Sequence, residues 1–166
     1  MKNIKNTIGG LAGAVALNIA HQTLKQLIDK APQVDLVGEE ALNKGLQSVG
    51  AKPLKGDALF ASTLAADVAS NAFYYSMIGM GSRKNLLTRG IAYGLAAGVG
   101  AVVLTKPLGL NDRPLNKSTE TKLLTVGYYL LGGVVAALTI RALTRKHKTL
   151  SIASNADEDI EVIGNS

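Results

Sequence analysis

The chain has 166 residues, enough for one domain, and combines 18 glycines with only 4% aromatic residues. It has no cysteine, which excludes disulfides, thiolate metal sites and a cysteine nucleophile. A net charge of +6 would suit nucleic acid, but the basic residues stand in short groups at the ends of apolar segments. That placement is typical of charges that flank membrane helices, so we expect no nucleic-acid partner.

The first apolar segment, about residues 7–28, is the weakest candidate for a membrane span. Its uncharged centre, Ile8–Leu17, is only ten residues long and follows Lys2 and Lys5, so it also resembles the apolar region of a secretory signal peptide. Apolar residues continue in helical register through Ile28, which favours a helix that runs past any cleavage point. A cleaved signal and a first span both remain open interpretations.

The connection that follows, about Asp29 to Gly56, is long enough to hold a helix of its own. Pro32 ends or interrupts the first helix, and Asp35 can then N-cap a second one. This helix has an apolar stripe at i, i+4 and i+7, formed by Leu42, Leu46 and Val49. We expect an amphipathic interfacial helix between spans 1 and 2. The alternative is a soluble loop helix that covers the mouth of the bundle.

Three further apolar segments follow, at about residues 57–81, 86–105 and 122–142. The last contains eighteen consecutive uncharged residues, Leu123–Ile140, which is about the length that a bilayer demands. The middle one is short and reaches the required ~20 residues only if Arg89 extends toward the membrane surface. All three are nevertheless predicted to be spans.

Small residues and tyrosines in these segments have structural interpretations. Gly94 and Gly98 form a GxxxG pattern, for which packing within the bundle is favoured over self-association. Five tyrosines supply nearly all of the aromatic content: Tyr74, Tyr75, Tyr93, Tyr128 and Tyr129. We expect them to anchor the helices at the membrane surface rather than to take part in catalysis.

Together these segments predict an all-α fold, an integral membrane four-helix bundle that occupies residues 1–148 as one domain. Compact basic groups occur at the N-terminus, in the second connection and after the fourth span, which places both termini in the cytoplasm. Residues 149–166 carry four acidic residues and no basic one, which predicts a disordered acidic tail. Because the composition resembles that of small bacterial inner-membrane proteins, we expect the chain to lie in a bacterial inner membrane.

Polar side chains form a stripe on each of the first two predicted spans. On the second span they follow spacings of three and four: Thr63, Asp67, Ser70, Asn71 and Tyr74. On the first span the corresponding set is Asn18, His21, Gln22 and Lys25. The two helices are consecutive and antiparallel, so a rise of ~1.5 Å per residue puts Asn18 at the depth of Asp67, with His21 level with Thr63. We expect the two stripes to face each other.

Asp67 is the single charge between Ala58 and Gly81. An ionised carboxylate at the centre of a bilayer costs at least ~2.5 kcal/mol, so we expect Asp67 to be protonated, paired with His21 or another cation, or in contact with water. The candidate intramembrane polar site comprises Asp67, Asn71, Asn18, His21, Gln22 and Thr63. The alternative is that these side chains only hold helices together by hydrogen bonds.

No motif in the sequence indicates catalysis, a cofactor or a metal. The second histidine, His147, lies in a basic run beyond the fourth span, which argues against two-histidine haem ligation. We therefore expect no catalytic residues, no cofactor and no metal, and an enzyme is the less favoured class.

Three functional classes remain. The favoured one is a non-enzymatic scaffold or accessory subunit of a membrane complex, whose partners are the lipid bilayer and a membrane protein or a second copy. The first alternative is an oligomeric channel or transporter that uses the Asp/His/Asn cluster as a proton or solute site. The second alternative is a membrane-embedded enzyme or ligand-binding protein.

Overall fold

A computed structural model describes the backbone of residues 2–164 and the side chains of residues 3–145. All regular structure in that part of the chain is helical, so the predicted all-α class is confirmed. The helices are α1 (Lys2–Leu27), α2 (Val34–Ser48), α3 (Gly56–Ser76), α4 (Leu86–Leu104), α5 (Arg113–Asn116) and α6 (Thr119–Gly164). Two short 3₁₀ turns, Met77–Gly79 and Arg83–Asn85, lie between α3 and α4.

The long helices lie where the apolar segments predicted them. Helix α4 agrees with the predicted span 86–105 to within one residue. Helix α6 begins near the predicted start of the fourth span, and its helical backbone is assigned as far as Gly164. The side chains of residues 149–166 lie outside the described part of the chain, and the disordered acidic tail stays a prediction.

Two helical segments are long and apolar enough to cross a membrane, judged by length and composition: Arg83–Leu104 and Thr119–Arg145. Among the described residues, α1 and α3 do not meet this criterion, because both carry polar stripes. The membrane location of the bundle, its four spans and its orientation therefore stay predictions.

Four long helices form the bundle, and α1 and α6 lie at its centre. Helix α6 packs against α4 on one side and α1 on the other, while α3 packs against α1. The apolar core includes Leu17 from α1, Ile78 from the turn after α3, and Ile140 from α6. The polar stripe of α1 thus points away from α4 and toward α2 and α3.

Backbone contact replaces side-chain packing between α4 and α6. Gly90, Gly94 and Gly98 are buried along one face of α4. A Cβ added to Gly94 would lie 2.7 Å from the Cα of Leu130, and one added to Gly133 would lie 2.2 Å from the carbonyl oxygen of Gly90. No real Cβ tolerates such distances, so the two backbones can approach this closely only because glycine lacks that atom. The prediction that the GxxxG pattern packs within the bundle is confirmed.

Two tyrosines lie inside the bundle. Tyr75 is 0% exposed and Tyr128 is 4% exposed, so the prediction that all five tyrosines anchor the surface is wrong for these two. The hydroxyl of Tyr75 donates a hydrogen bond of 2.8 Å to the carbonyl oxygen of Tyr129. Gly13 and Gly132 lie against the ring of Tyr75 and leave room for it. The ring of Tyr75 therefore fits into the core because the neighbouring helices have glycines at the positions that it contacts.

Helix α2 begins at Val34, and its N-cap position is Gln33, which makes no side-chain capping bond. The prediction that Asp35 caps this helix is wrong. The carboxylate of Asp35 instead pairs with the ammonium of Lys25 in α1. Because the helix begins one residue before Asp35, that residue lies in the first turn and not at the N-cap position.

Helices α2 and α5, with the connections around them, cover one end of the bundle, which we call the cap end. The Glu40 carboxylate accepts a hydrogen bond of 2.8 Å from the backbone N–H of Asn111 and pairs with Lys44 at 2.9 Å. The Asn111 amide, followed by the Lys44 ammonium, holds the pKa of Glu40 below its ordinary value of 4.5. Lys30 pairs with Glu120 of α6 at 3.0 Å. These contacts fasten the cap to the ends of α4 and α6.

The opposite end of the bundle, which we call the basic end, contains Arg83, Lys84, Arg89 and Arg141. The Arg89 guanidinium donates to the carbonyl oxygens of Met77 and Met80, at 3.0 and 2.9 Å. It extends toward the end of its helix, as the sequence predicts, and its hydrogen-bond partners there are backbone carbonyls. Gly81, with φ of 135°, makes the turn that brings α4 back alongside the bundle.

Candidate functional site

The carboxylate of Asp67 joins α3 to α1. The side-chain amide of Asn18 donates to Oδ2 of Asp67 at 2.8 Å, so the contact expected from matched depth is present. The side-chain amide of Asn71, one turn further along α3, donates to Oδ1 at 2.9 Å. Each oxygen of the carboxylate thus has an amide donor, and a single acidic group connects two helices.

His21 lies one turn from Asn18 and has a different set of partners. Its Nε2 lies 3.1 Å from the carbonyl oxygen of Pro32 and 3.8 Å from Oδ1 of Asp35. A carbonyl oxygen only accepts, so Nε2 carries the proton in this contact. The ring is 3% exposed and meets the ring of Tyr128 edge-on, with centroids 5.9 Å apart. The main chain of the α1–α2 connection therefore fixes both the orientation of His21 and the tautomer.

Asp67 does not pair with His21, although the sequence makes that pairing one of three possibilities. The pairing occurs instead between Lys25 and Asp35, one turn closer to the cap end. Asp35 enters because Pro32 turns the chain and brings the start of α2 over the polar stripe of α1. Sequence reasoning missed this third element, although a lysine and an aspartate of opposite charge on either side of Pro32 could have indicated it.

A small cavity lies between α1, α2 and α3. Its volume is about 30 Å³, enough for one water molecule. Its lining includes Asn18, His21, Asp35, Thr63 and Asp67. Gln22 lines it as well, so all of the predicted site residues except Asn71 border the cavity.

Two oxygen atoms in this region are buried without a hydrogen-bond partner among the described residues. They are Oγ1 of Thr63, in a residue that is 6% exposed, and Oδ1 of Asp35. Buried polar atoms are nearly always hydrogen-bonded, and each unpaired one costs roughly 1–3 kcal/mol. Both residues line the same cavity. A small polar species in that cavity would satisfy both oxygens.

Two members of the predicted α3 stripe lie outside the cluster. Ser70 is exposed, and its hydroxyl donates to the carbonyl oxygen of Asp67, in its own helix. The hydroxyl of Tyr74 donates to the carbonyl oxygen of Tyr93 in α4, at 3.1 Å. Spacings of three and four cover a wide arc of a helix, so residues at the edges of that arc face different neighbours.

The chemistry available here is hydrogen bonding and charge pairing. Within the described residues, no group of three or more His, Asp or Glu side chains could hold a metal ion. The formal charges around the cavity are two carboxylates, Asp35 and Asp67, and one ammonium, Lys25, with His21 able to add a second positive charge. Two acids against one or two bases make this a nearly balanced cluster.

Comparison of the chain with known protein families, characterised proteins and solved structures finds no match. The function must therefore be argued from the surfaces and side chains of this molecule.

Proposed function

We propose that this chain is an integral membrane protein, built as four antiparallel spans, that acts as a non-enzymatic scaffold or accessory subunit of a membrane complex. One observation supports it above the others: rows of large apolar side chains lie on the outer surface, while polar side chains share the interior with the apolar core. Large apolar side chains face outward, while buried positions include Asn6, His21, Asn71 and Thr125. A water-soluble bundle has the opposite arrangement.

The outward apolar surface is continuous along two helices. On α1 it comprises Ile4, Ile8, Leu11, Val15 and Ile19, which are 41–62% exposed. On α4 it comprises Leu87, Ile91, Leu95, Val99 and Val103, which are 39–59% exposed. At ~1.5 Å per residue each row is roughly 22–24 Å long, most of the ~30 Å thickness of the hydrocarbon layer. Such a surface would cause aggregation in water and suits lipid.

The two ends of the bundle support one orientation. The basic end has compact groups of lysine and arginine, whereas cationic residues of the cap end pair with carboxylates such as Asp35, Glu40 and Glu120. Positive residues near spans are retained in the cytoplasm, so we assign the basic end and both termini to the cytoplasmic side of a bacterial inner membrane.

The absence of cysteine makes this topology directly testable. Ala51 is exposed at the cap end and Ser82 is exposed at the basic end, so each can be replaced by a single cysteine. An impermeant maleimide added to intact spheroplasts should label Ala51→Cys and spare Ser82→Cys until the membrane is opened. Recovery of the chain in the soluble fraction, or labelling of both positions alike, would contradict the proposal.

The scaffold role is supported by the hydrogen bonds of Asp67, which leave neither carboxylate oxygen without a donor. Both of its oxygens accept amide hydrogen bonds, from Asn18 and Asn71, which is the pattern of an interhelical clamp. We infer that a membrane protein or a second copy binds the bundle. A stable partner should then co-purify in mild detergent, identified by mass spectrometry and by the mass of the complex. A monodisperse, partnerless monomer would count against this role.

The cavity beside Asp67 favours a second candidate, a proton or solute site within an oligomeric channel or transporter. The unpaired Oγ1 of Thr63 and Oδ1 of Asp35 are acceptors for a small hydrated or cationic species. In liposomes with a pH gradient, this role predicts a flux that Asp67→Asn abolishes and Ser70→Ala preserves, with both variants folded. Flux equal to that of empty liposomes, or unchanged in Asp67→Asn, would eliminate it.

A further inference from the structure

A second cavity lies at the basic end, between the turn before α4 and the last described turns of α6. Its volume is about 330 Å³, at the lower end of the range for small-molecule sites. Four cationic side chains line it: Arg83, Lys84, Arg141 and Arg145. Among the side chains that the structure describes, no carboxylate lines it. This basic pocket is separate from the polar cavity at the cap end.

The Arg83 side chain of the basic pocket is held in place by a neutral hydroxyl group. Nη1 of Arg83 donates to Oγ1 of Thr144 at 3.1 Å, and that hydroxyl donates to the carbonyl oxygen of Ile140 at 2.7 Å. The guanidinium is thus oriented by a neutral group, and no carboxylate pairs with it among the described residues. Among the described residues, no ion pair involves Lys84 or Arg141.

The start of helix α4 adds to this positive field. Leu86 and Leu87, its first two residues, line the pocket, and Asn85 at the N-cap position makes no side-chain capping bond. A helix of 19 residues carries a partial positive charge at its first turn. Cationic side chains and this partial charge together suit a multivalent oxyanion.

We propose that the basic pocket binds a phosphate group, carried either by an anionic phospholipid head group or by a free phosphate. Leu87 is 40% exposed and begins the outward apolar row of α4, so the pocket opens where that row meets the basic end. A phosphodiester in the pocket would leave its acyl chains beside Leu87 and Ile91. The lipid source rests on the proposed membrane location, whereas phosphate binding itself does not.

The test uses the full chain, delipidated in a neutral detergent, and two probes. The first is inorganic phosphate, measured by calorimetry. The second is phosphatidylglycerol, compared with phosphatidylcholine by native mass spectrometry and by binding to nanodiscs of each lipid. Each probe is repeated in raised salt, since phosphate–cation contacts weaken as salt screens them.

Lys84→Ala/Arg141→Ala is the informative variant, because both side chains are exposed and neither is part of an ion pair in the described chain. Each cation near an anionic surface contributes roughly a fivefold factor, so affinity should fall by about 25-fold. Lys52→Ala/Lys122→Ala removes the same charge from exposed positions of the cap end and should leave affinity within about twofold. Thr144→Val, which releases Arg83, should weaken binding without changing net charge.

The outcomes are distinct. Selective phosphatidylglycerol binding that the pocket variant loses and the control retains supports a lipid site. Binding of inorganic phosphate with the same dependence on variants supports a free-phosphate site, and it does so even if the chain proves to be water-soluble. No binding of either probe, or equal loss in both double variants, overturns the proposal. Membrane fractionation of each variant separates these results from a failure of the proposed membrane location.

Discussion

The α4–α6 and α1–α3 interfaces hold helices together in different ways. Between α4 and α6, glycines such as Gly94 and Gly133 bring one backbone onto the other, and dispersion forces act over the length of the contact. Between α1 and α3, the carboxylate of Asp67 and the amide of Asn18 meet beside a cavity. The α1–α3 interface has a tight glycine contact as well, since a Cβ added to Gly10 would lie 2.2 Å from the carbonyl oxygen of Ala72. Toward the cap end, however, it depends on satisfied polar groups and has space beside them. The predicted costs of substitution differ accordingly.

The largest effect is expected at the glycine interface. Gly133→Ala would place a methyl group 2.2 Å from a backbone oxygen of α4, which cannot move as a flexible side chain could. We expect the free energy of unfolding to fall by about 3 kcal/mol. Gly127→Ala is the matched control, because its Cβ would meet nothing within 4 Å, and alanine there should be neutral or stabilising. Equal stability of the two variants in detergent unfolding would remove the contrast between the interfaces.

A smaller effect is expected at the polar interface. Asp67→Leu removes the carboxylate that accepts from Asn18 and Asn71 and leaves these amides only their backbone acceptors, at a cost of about 2 kcal/mol. Asp67→Asn should cost less, because it keeps one acceptor oxygen. Ser70→Ala, on the exposed side of the same helix, serves as the control. A fully stable Asp67→Leu would mean that apolar packing, rather than the clamp, holds α1 to α3.

Tyr75 tests whether the two interfaces are independent, because its hydroxyl carries a hydrogen bond from α3 to α6. Tyr75→Phe should lower the free energy of unfolding by about 1 kcal/mol. Combined with Asp67→Leu it should give a non-additive loss if the clamp positions α3 for this bond. Tyr93→Phe, whose hydroxyl makes no recorded hydrogen bond among the described residues, should have no effect. Strict additivity would show that the interfaces act separately.

The smallest effect concerns the cap end and depends on pH. The pKa of Glu40 is lowered in the folded chain, so its contacts with Asn111 and Lys44 stabilise the fold fully above about pH 4.5. That contribution should disappear as the pH falls through the lowered value. For a surface pair, this contribution to the free energy of unfolding is about 0.3 kcal/mol. It is measured as the difference between the wild type and Glu40→Gln in how the free energy of unfolding changes with pH. The same pH dependence in Glu40→Gln and in the wild type would contradict this assignment.

The sequence allowed much of the fold to be predicted, because uncharged runs of near-bilayer length locate helices directly. It also predicted the contact between Asn18 and Asp67, since antiparallel neighbours of known rise have comparable depths. Rotation about the helix axis is a different matter. It decides which of several polar residues on one arc meets a given partner, and depth alone does not fix it.

That limit explains the errors. The partners of His21 come from Pro32 and Asp35, in a connection whose path depends on tertiary packing. Tyr75 lies in the core because Gly13 and Gly132 on other helices make space for its ring, and Tyr128 lies there against the ring of His21. The amino-acid sequence gives the positions of a glycine and a tyrosine, but it does not show that the two residues will contact each other in the fold.

The position of Arg89 bears on how the molecule is made. Its guanidinium donates hydrogen bonds to the carbonyl oxygens of Met77 and Met80, which follow the end of α3. Both bonds therefore lie within the hairpin formed by α3 and α4. Backbone carbonyls of residues 56–104 thus satisfy the guanidinium at the bend without help from later parts of the chain. In a membrane, such a hairpin can leave the translocation machinery as one insertion unit before α6 is synthesised. Helix α6 would then arrive last, and its Gly132 and Gly133 would pack against α1 and α4, which are already in place.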